Sequence, residues 1–302
     1  MEKDIILELE KNINKENIFQ DEIMAKHTTF KIGGEADVFI RPSDVSELSH
    51  AIKICKKYKI PYYVIGNGSN ILVKDNGFRG VIIQIYKNFN YVEIIDDTIV
   101  AGAGILLSKL SKKIADESLE GFEFASGIPG TLGGAIYMNA GAYGGDMSSV
   151  LVSVDVIDNK GNIITLTKDE LKLGYRTSII QETNYIILKA ILKCKKGNKD
   201  DISSIINDLN NRRRTKQPLE FPSAGSTFKR PVGYYAGKLI MDSDLRGYSI
   251  GNAQVSEKHC GFIINKGDAK ADDVIKLIHH VTNTVKDKYN VTLETEVRII
   301  GE

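Results

Sequence analysis

The chain has 302 residues, 42% hydrophobic and 26% charged, with 27 glycines, 6 prolines and no tryptophan. This is ordinary globular composition, not that of a disordered, fibrous or membrane chain, and at about 100–200 residues per domain it predicts two or three domains. With 40 Lys and Arg against 39 Asp and Glu, the formal net charge is +1, so no overall field calls for nucleic acid or an anionic membrane.

Residues 1–10 alternate charge with Ile5, Ile6, Leu7 and Leu9, without the basic start and unbroken apolar run of a secretory signal. No segment approaches the roughly 20 apolar residues of a membrane span, so no membrane insertion is expected. Cys55, Cys194 and Cys260 are odd in number and form no CxxC pair, which argues against a disulfide framework or thiolate zinc site and for a cytoplasmic location. Amphipathic spacing predicts a helix over 4–19 and another over 44–58, with Ser43 as N-cap and Val45, Leu48, Ile52 and Cys55 on one face. Strand-like 62–65 and 71–73 flank the tight turn 66–70, a βα-type beginning. Strands over 81–85, 91–95 and 98–101 and a helix over 105–118 give the middle of the chain an α+β, antiparallel character. Strands over 150–157 and 162–166 form a hairpin around Asn159-Lys160-Gly161, followed by a strand over 185–193. A helix over 200–214 ends near Pro218, and 195–201 is the most loop-like boundary. The last third predicts a strand over 262–265, a helix over 271–288 and a terminal strand over 291–300. In that strand Val291, Leu293, Val297 and Ile299 oppose Thr292, Glu294, Glu296 and Arg298.

The run GIPGTLGGAIYMNAGAYGG (127–145) is too glycine-rich for an ordinary helix or strand. It forms either long turns or, like the 66–70 turn, a surface whose main-chain N–H groups face a phosphate or a flat ring without Cβ interference. Gly66-x-Gly68 and Gly102-x-Gly104 lack the third glycine of a dinucleotide fingerprint, and there is no GxxxxGK[ST] loop, so neither a conventional Rossmann site nor a P-loop is expected. The five histidines show no metal-ligand spacing, and no metal is expected. His259 follows Ser256-Glu257-Lys258 just before an apolar strand and is either a surface residue or a ligand contact at a strand mouth. In Arg212-Arg213-Arg214-Thr215-Lys216, helix C-terminal capping accounts for most of the cations, leaving one or two for a diphosphate. Ser226 lies in the small-residue loop 223–229 with no GxSxG elbow and no assignable Asp and His; taken alone it is a turn residue rather than a hydrolase nucleophile. Glu296, taken alone, is an exposed strand carboxylate paired with Arg298 or a lysine.

Six segments, HTTFKIGGEADVFIRP (27–42), IGNGSNILVKDNGFRGVII (65–83), ASGIPGTLGGAIYMNAGAYGGDM (125–147), YRTS (175–178), AGSTFKRP (224–231) and LETEVRIIG (293–301), resemble in order the UDP-N-acetylenolpyruvoylglucosamine reductase family. The resemblance covers nearly the whole chain from about residue 25, and the ordered set is far more specific than any one motif. It implies an α+β fold: an FAD-binding module of the vanillyl-alcohol-oxidase (PCMH) type in two parts, α/β and α+β, with a C-terminal α+β substrate domain. The implied boundaries are 1–80, completed by the C-terminal strand 290–302, then 81–200, and 215–289 for the substrate domain. The implied activity is NADPH-dependent reduction of UDP-N-acetylglucosamine enolpyruvate to UDP-N-acetylmuramate through noncovalent FAD, in peptidoglycan synthesis. An FAD-dependent oxidase of a small alcohol or sugar is the alternative on the same fold, and a nucleotide-sugar-binding protein without catalysis the rival from another class.

Carried onto this sequence, the resemblance makes Arg176 and Glu296 the residues that polarise the substrate and Ser226 the proton donor. Flavin and diphosphate contacts fall on Gly66, Asn67, Gly68, Ser69 and Asn70, and on Ser126, Gly127, Gly130, Thr131, Gly133, Gly134, Asn139, Ala140 and Gly141. Lys216, with Tyr175, Lys229 and His259, is expected at the substrate. Hydride addition to the β-carbon of an enolpyruvyl ether drives charge onto the α-carbon and its carboxylate, which a permanent, forked cation such as Arg176 meets. Glu296 helps only if protonated, or if it orders Arg176 or a water. A Ser226 hydroxyl beside a strongly basic enolate carbon delivers its proton and recovers one from solvent. Only 49 residues separate Arg176 from Ser226, which resembles the shorter subtype without a lid tyrosine; some relatives carry asparagine at the position of Arg230.

Overall fold

The computed structural model describes residues 3–302; Met1 and Glu2, the start of the charge-alternating N-terminus, lie outside them. The chain divides into two compact units, one of the residues through Gln20, Val38–Asn67 and Gly80–Arg213, the other of Asp21–Asp37, Gly68–Arg79 and Arg214–Glu302. Each has its own buried apolar cluster, as separate domain cores require.

In the first unit, strand Tyr62–Ile65 pairs in parallel with Phe78–Gln84, Tyr62 opposite Val81 and Ile65 opposite Gln84. Helix Val45–Lys57 precedes it and buries Leu48, Ala51, Ile52, Ile54 and Cys55. Its N-cap is Asp44, not Ser43: the Asp44 side chain accepts from the Glu47 N–H, and the Glu47 carboxylate accepts from the Ser43 N–H. The acid one residue further on thus wins the cap, and the Glu47 carboxylate holds the main chain of the residue before it. The predicted helix over 4–19 stops at Glu10 (Lys3–Glu10), because the Asn14 side chain takes the Glu16 N–H and turns the chain into strand Ile18–Ile23. A five-stranded antiparallel sheet follows in the order Ile163–Thr167, Leu151–Ile157, Ile186–Lys193, Thr98–Gly102, Val92–Ile95. Its hairpin turn is held by Asp158 Oδ1, which accepts from the N–H groups of Lys160 and Asn162, each at 2.8 Å. Helix Leu107–Asp116 buries Leu107, Leu110 and Ile114. The glycine-rich run contains a short helix after all, Leu132–Tyr137, which comes so near residue 103 that a Cβ on Gly133 would lie 3.0 Å from the Ala103 Cβ.

In the second unit, helix Ala271–Tyr289 buries Val274, Leu277, Ile278 and Val281, and the antiparallel strands Ser249–Ile250, Ala253–Val255 and Ile263–Asn265 pair in that order. The first two strands and helix Ala236–Asp242 were not legible in the sequence, being too short to show a period. The long helix starts at Asp75, whose two carboxylate oxygens accept from the Ala271 and Asp272 N–H groups at 2.8 and 2.9 Å. Asp75→Ala is therefore expected to cost about 1–2 kcal/mol, the scale of a lost charged cap. Thermal unfolding should show a lower melting temperature for Asp75→Ala and a smaller drop for Asp75→Asn; an unchanged melting point would remove Asp75 from the cap.

The terminal strand is shorter than its alternation predicts. Only Arg298–Ile300 forms a ladder, in parallel with Ile71–Val73. Upstream, Thr295 bridges Phe228, the Lys229 N–H donates to the Glu294 carbonyl and the Glu296 N–H to the Thr227 carbonyl, each at 2.8 Å. The change of partner between Glu296 and Arg298 breaks the alternation: Leu293 and Val297 are buried while Ile299 is 37% exposed.

Candidate functional site

In the first unit three segments converge. Gly66, at the end of its strand, lies so close to Thr131 that a Cβ there would fall 2.1 Å from Thr131 Oγ1. The Gly66 carbonyl accepts from Gln84 Nε2, and the Asn67 side-chain amide donates to the Pro129 carbonyl at 2.6 Å. The Gly130 carbonyl takes the Leu107 N–H, and the Leu132 and Gly133 N–H groups donate to Ile105 and Ala103. Beyond them Gly134 is open, with only Thr131 Oγ1, at 3.6 Å, near its missing Cβ. Ser126 Oγ is shut off from water and has no hydrogen-bond partner among the described residues. The third segment is helix Lys199–Lys216: a Cβ on Gly127 would lie 2.9 Å from Arg213 Cδ and 3.0 Å from Asn210 Oδ1.

Arg176 stands in the same unit at the corner of a tight turn closed by the Gly174 and Thr177 bridge. Its φ of +57° is the left-handed region that non-glycine residues seldom adopt. Two side chains hold the turn: Asn139 donates to the Gly174 carbonyl at 2.9 Å, and Gln181 to the Arg176 carbonyl at 3.1 Å and to the Tyr137 carbonyl at 2.8 Å. Asn139 is itself buried, its carbonyl accepting the Ser148 N–H. The Arg176 guanidinium donates to the Gly141 carbonyl at 3.2 Å and lies 5.0 Å from the centre of the Tyr175 ring, which is 55% exposed. Ala140 carries no functional side chain; its N–H closes the preceding helix on the Ala135 carbonyl. Gln181 was missed in the sequence, because nothing local distinguishes one amide five residues after an arginine.

In the second unit Gly68 has φ +63°, and a Cβ there would meet the His27 carbonyl at 2.1 Å, so the turn admits no other residue. Ser69 follows, half-buried, and the Asn70 side chain donates to the Glu296 carbonyl at 3.2 Å while its own carbonyl takes the Arg298 N–H. Ser226 sits between Gly225 (φ +76°) and Thr227, whose N–H donates to Gly261 at 2.8 Å and whose hydroxyl accepts from the Ile263 N–H at 3.0 Å. Ser226 and Glu296 are thus gathered in one unit through Thr227, and Arg176 belongs to the other. His259 is half-buried, edge-on to Phe262; its Nδ1 accepts from the Gly261 N–H at 3.1 Å, and burial pushes its pKa down, which leaves a neutral ring with the proton on Nε2. Lys229 pairs with Glu294 at 3.1 Å, and Lys216, exposed, ends its helix.

Glycines that a Cβ would fill, an orphaned buried hydroxyl and a guanidinium suit the diphosphate and flat ring of FAD, so the residues present fit that group. The cysteines are buried, and burial pushes the Cys55 and Cys194 thiols up to about 12, so neither supplies a thiolate for covalent attachment. Among the described residues no cluster of three or more His, Cys, Asp or Glu could hold a metal, and no helix is long and apolar enough to cross a membrane.

Residues 36–167 match the family model of an FAD binding domain, and 217–300 that of the UDP-N-acetylenolpyruvoylglucosamine reductase C-terminal domain. A UDP-N-acetylenolpyruvoylglucosamine reductase of Clostridioides difficile (strain 630) is 52% identical over 300 residues, 99% of each chain. The crystal structure of UDP-N-acetylenolpyruvylglucosamine reductase (MurB) from Thermus caldophilus superposes with a TM-score of 0.81 at 33% identity, over 93% of this chain and 98% of that one. An alkyldihydroxyacetonephosphate synthase, 18% identical, shares only the fold, over 65% of this chain and 41% of its own with a TM-score of 0.50. With near-complete coverage at 52% identity and the α+β architecture in place, the chain belongs to the UDP-N-acetylenolpyruvoylglucosamine reductase family.

Proposed function

We infer that this protein is an FAD-dependent oxidoreductase that reduces UDP-N-acetylglucosamine enolpyruvate to UDP-N-acetylmuramate with NADPH, a step in making peptidoglycan precursors. The full-length identity to a named reductase carries the reading, and the glycine cradle supports it. The cytoplasm is the proposed location, where the nucleotide substrate and NADPH are both found. When bound, FAD accepts hydride from NADPH and delivers it to the enolpyruvyl β-carbon.

The residues of this chain supply the rest. The first two parts, 1–80 with 290–302 and 81–200, are proposed to hold the flavin, and 215–289 the sugar nucleotide. Around the flavin the N–H-lined 66–70 turn and the 126–141 run contribute close backbone approach, and Asn139 acts by fixing the Arg176 turn. Arg176 meets the charge that develops on the enolate and its carboxylate, a role that fits a fork-shaped cation that never loses its proton. Ser226 gives its proton to the α-carbon. Glu296, its main chain anchored by Asn70 and Thr227, polarises the substrate as a protonated acid or through an ordered water. Lys216 takes the UDP phosphates, with Tyr175, Lys229 and His259 as further contacts, His259 as a neutral donor through Nε2.

The test is a visible spectrum of the purified protein. Flavin bands should bleach on anaerobic NADPH and return on adding the enolpyruvyl sugar nucleotide. A colourless protein that takes up no FAD, or a flavin reduced by a small alcohol and not by NADPH, would sink the reading.

A further inference from the structure

The two adjacent threonines of HTTF (27–30) send their hydroxyls to different places. Thr28 is buried and keeps its own within the local turn, donating to the Ile32 carbonyl at 3.1 Å. The Thr29 hydroxyl instead spans 194 residues of sequence to donate to the Ser223 carbonyl at 2.7 Å, an O–H···O bond of ordinary good length. Its N–H meanwhile donates to the Gly68 carbonyl at 3.2 Å. One residue thus joins Gly68 to the start of the loop 223–229, and all of these groups belong to the second unit.

What that bond steadies is the approach to Ser226. No strand runs through 222–226, so ladder bonds do not fix this end of the loop. Gly225 has φ +76° and nothing within 4 Å of its missing Cβ, so it neither packs nor restricts the chain. On the far side Thr227 is held three ways, by Gly261 through its N–H, by Glu296 through its carbonyl and by Ile263 through its hydroxyl. Ser226 is therefore carried between two posts, the pinned Thr227 and a Ser223 whose carbonyl is tied by Thr29. Asn265, buried, braces the same two segments: its N–H donates to the Pro222 carbonyl at 2.9 Å and its side-chain amide to the Phe30 carbonyl at 3.1 Å. With that brace in place the Thr29 hydroxyl is not needed to bring the segments together; what it adds is the setting of Ser223.

We propose that Thr29 is a positioning residue for the proton transfer: its hydroxyl, acting through the Ser223 carbonyl, sets how the 223–226 arm presents the Ser226 hydroxyl. The proposal rests on the reading of Ser226 as the proton donor. A general acid works within hydrogen-bond reach of the atom it protonates, and a misplacement of about 1 Å is worth about a hundredfold in rate. A serine cannot make up such a gap, because its oxygen sits one bond beyond Cβ and goes where the main chain and one staggered torsion put it.

The experiment follows both half-reactions of the FAD-loaded protein by stopped-flow absorbance, flavin bleaching by NADPH and then its return on the enolpyruvyl sugar nucleotide, in H₂O and in D₂O. Thr29→Val exchanges the hydroxyl for a methyl and leaves the main-chain bond to Gly68, and Thr29→Ser keeps the hydroxyl. Thr29→Val should slow the second step by about tenfold or more, raise its solvent isotope effect, and leave flavin content and the NADPH step within about threefold of the parent. Thr29→Ser should restore the second step. In a Ser226→Ala background Thr29→Val should slow that step no further, since the two residues act as one unit. An unaltered second step, equal loss in both steps, no restoration by serine, or the full loss reappearing on top of Ser226→Ala would each overturn the positioning role. Parent-like reoxidation in Ser226→Ala alone would instead overturn the proton-donor reading beneath it, and the positioning role with it. Should Thr29→Val fold poorly, Thr29→Ala, which puts no methyl against the Ser223 carbonyl, is expected to give the same split between the two steps; a second step at the parent rate then rejects the role.

Discussion

Ser226→Ala should let NADPH bleach the flavin at close to the parent rate and then slow its return on substrate by at least a hundredfold. A lost general acid is worth about 10²–10⁴ in rate. The geometry favours a clean test. Gly225 has φ +76° with nothing within 4 Å of its missing Cβ, and Thr227 is pinned through its N–H, carbonyl and hydroxyl. Alanine at 226 therefore alters the hydroxyl and little of the loop. Under the proposed assignment, reduction by NADPH needs no proton from this residue, whereas protonation of the substrate α-carbon does. Stopped-flow absorbance separates the two half-reactions, and D₂O should slow the second more than the first. Equal loss in both, with flavin content down, would make Ser226 the turn residue that its sequence context suggests.

Arg176→Ala should lower the substrate half-reaction by about 10²–10³, the scale of a deleted electrostatic stabiliser. Arg176→Lys should lower it more than tenfold, about 1.4 kcal/mol, because a point charge replaces the fork. Backbone strain does not confound the comparison. Arginine, lysine and alanine all carry a Cβ at φ +57°, and the turn is held by Asn139 and Gln181 acting on main-chain carbonyls. Flavin content and the NADPH step serve as internal controls. Normal substrate-dependent reoxidation in Arg176→Ala would remove the residue from the reaction.

Gln181 tests the support for that arginine more gently. Its amide spans the Arg176 and Tyr137 carbonyls, a bracket made by chain segments about 40 residues apart in sequence. Nothing in the local pattern of the sequence announces it, and the same is true of Asp75, which caps a helix that begins 196 residues later.

The local order of the chain was determined by the sequence alone wherever one face of an element is buried throughout its length. Helices Val45–Lys57 and Ala271–Tyr289 and the hairpin at Asp158–Asn162 match their predicted positions to within a residue or two, because apolar period, capping acids and turn residues act over a few positions. The six ordered motifs likewise carried the family, since their order does not depend on how the chain folds. Tertiary structure decided the rest. Strand 291–300 failed because its partners change between Glu296 and Arg298, and register belongs to the pair and not to the strand. The arginine cluster could not be sorted by sequence, for adjacent helix residues point about 100° apart and only the packed segment decides which one meets it. That is why Arg212 pairs along its own helix with Asp208, while Arg213, one residue on, meets the glycine-rich backbone at Gly127, 86 residues away in sequence.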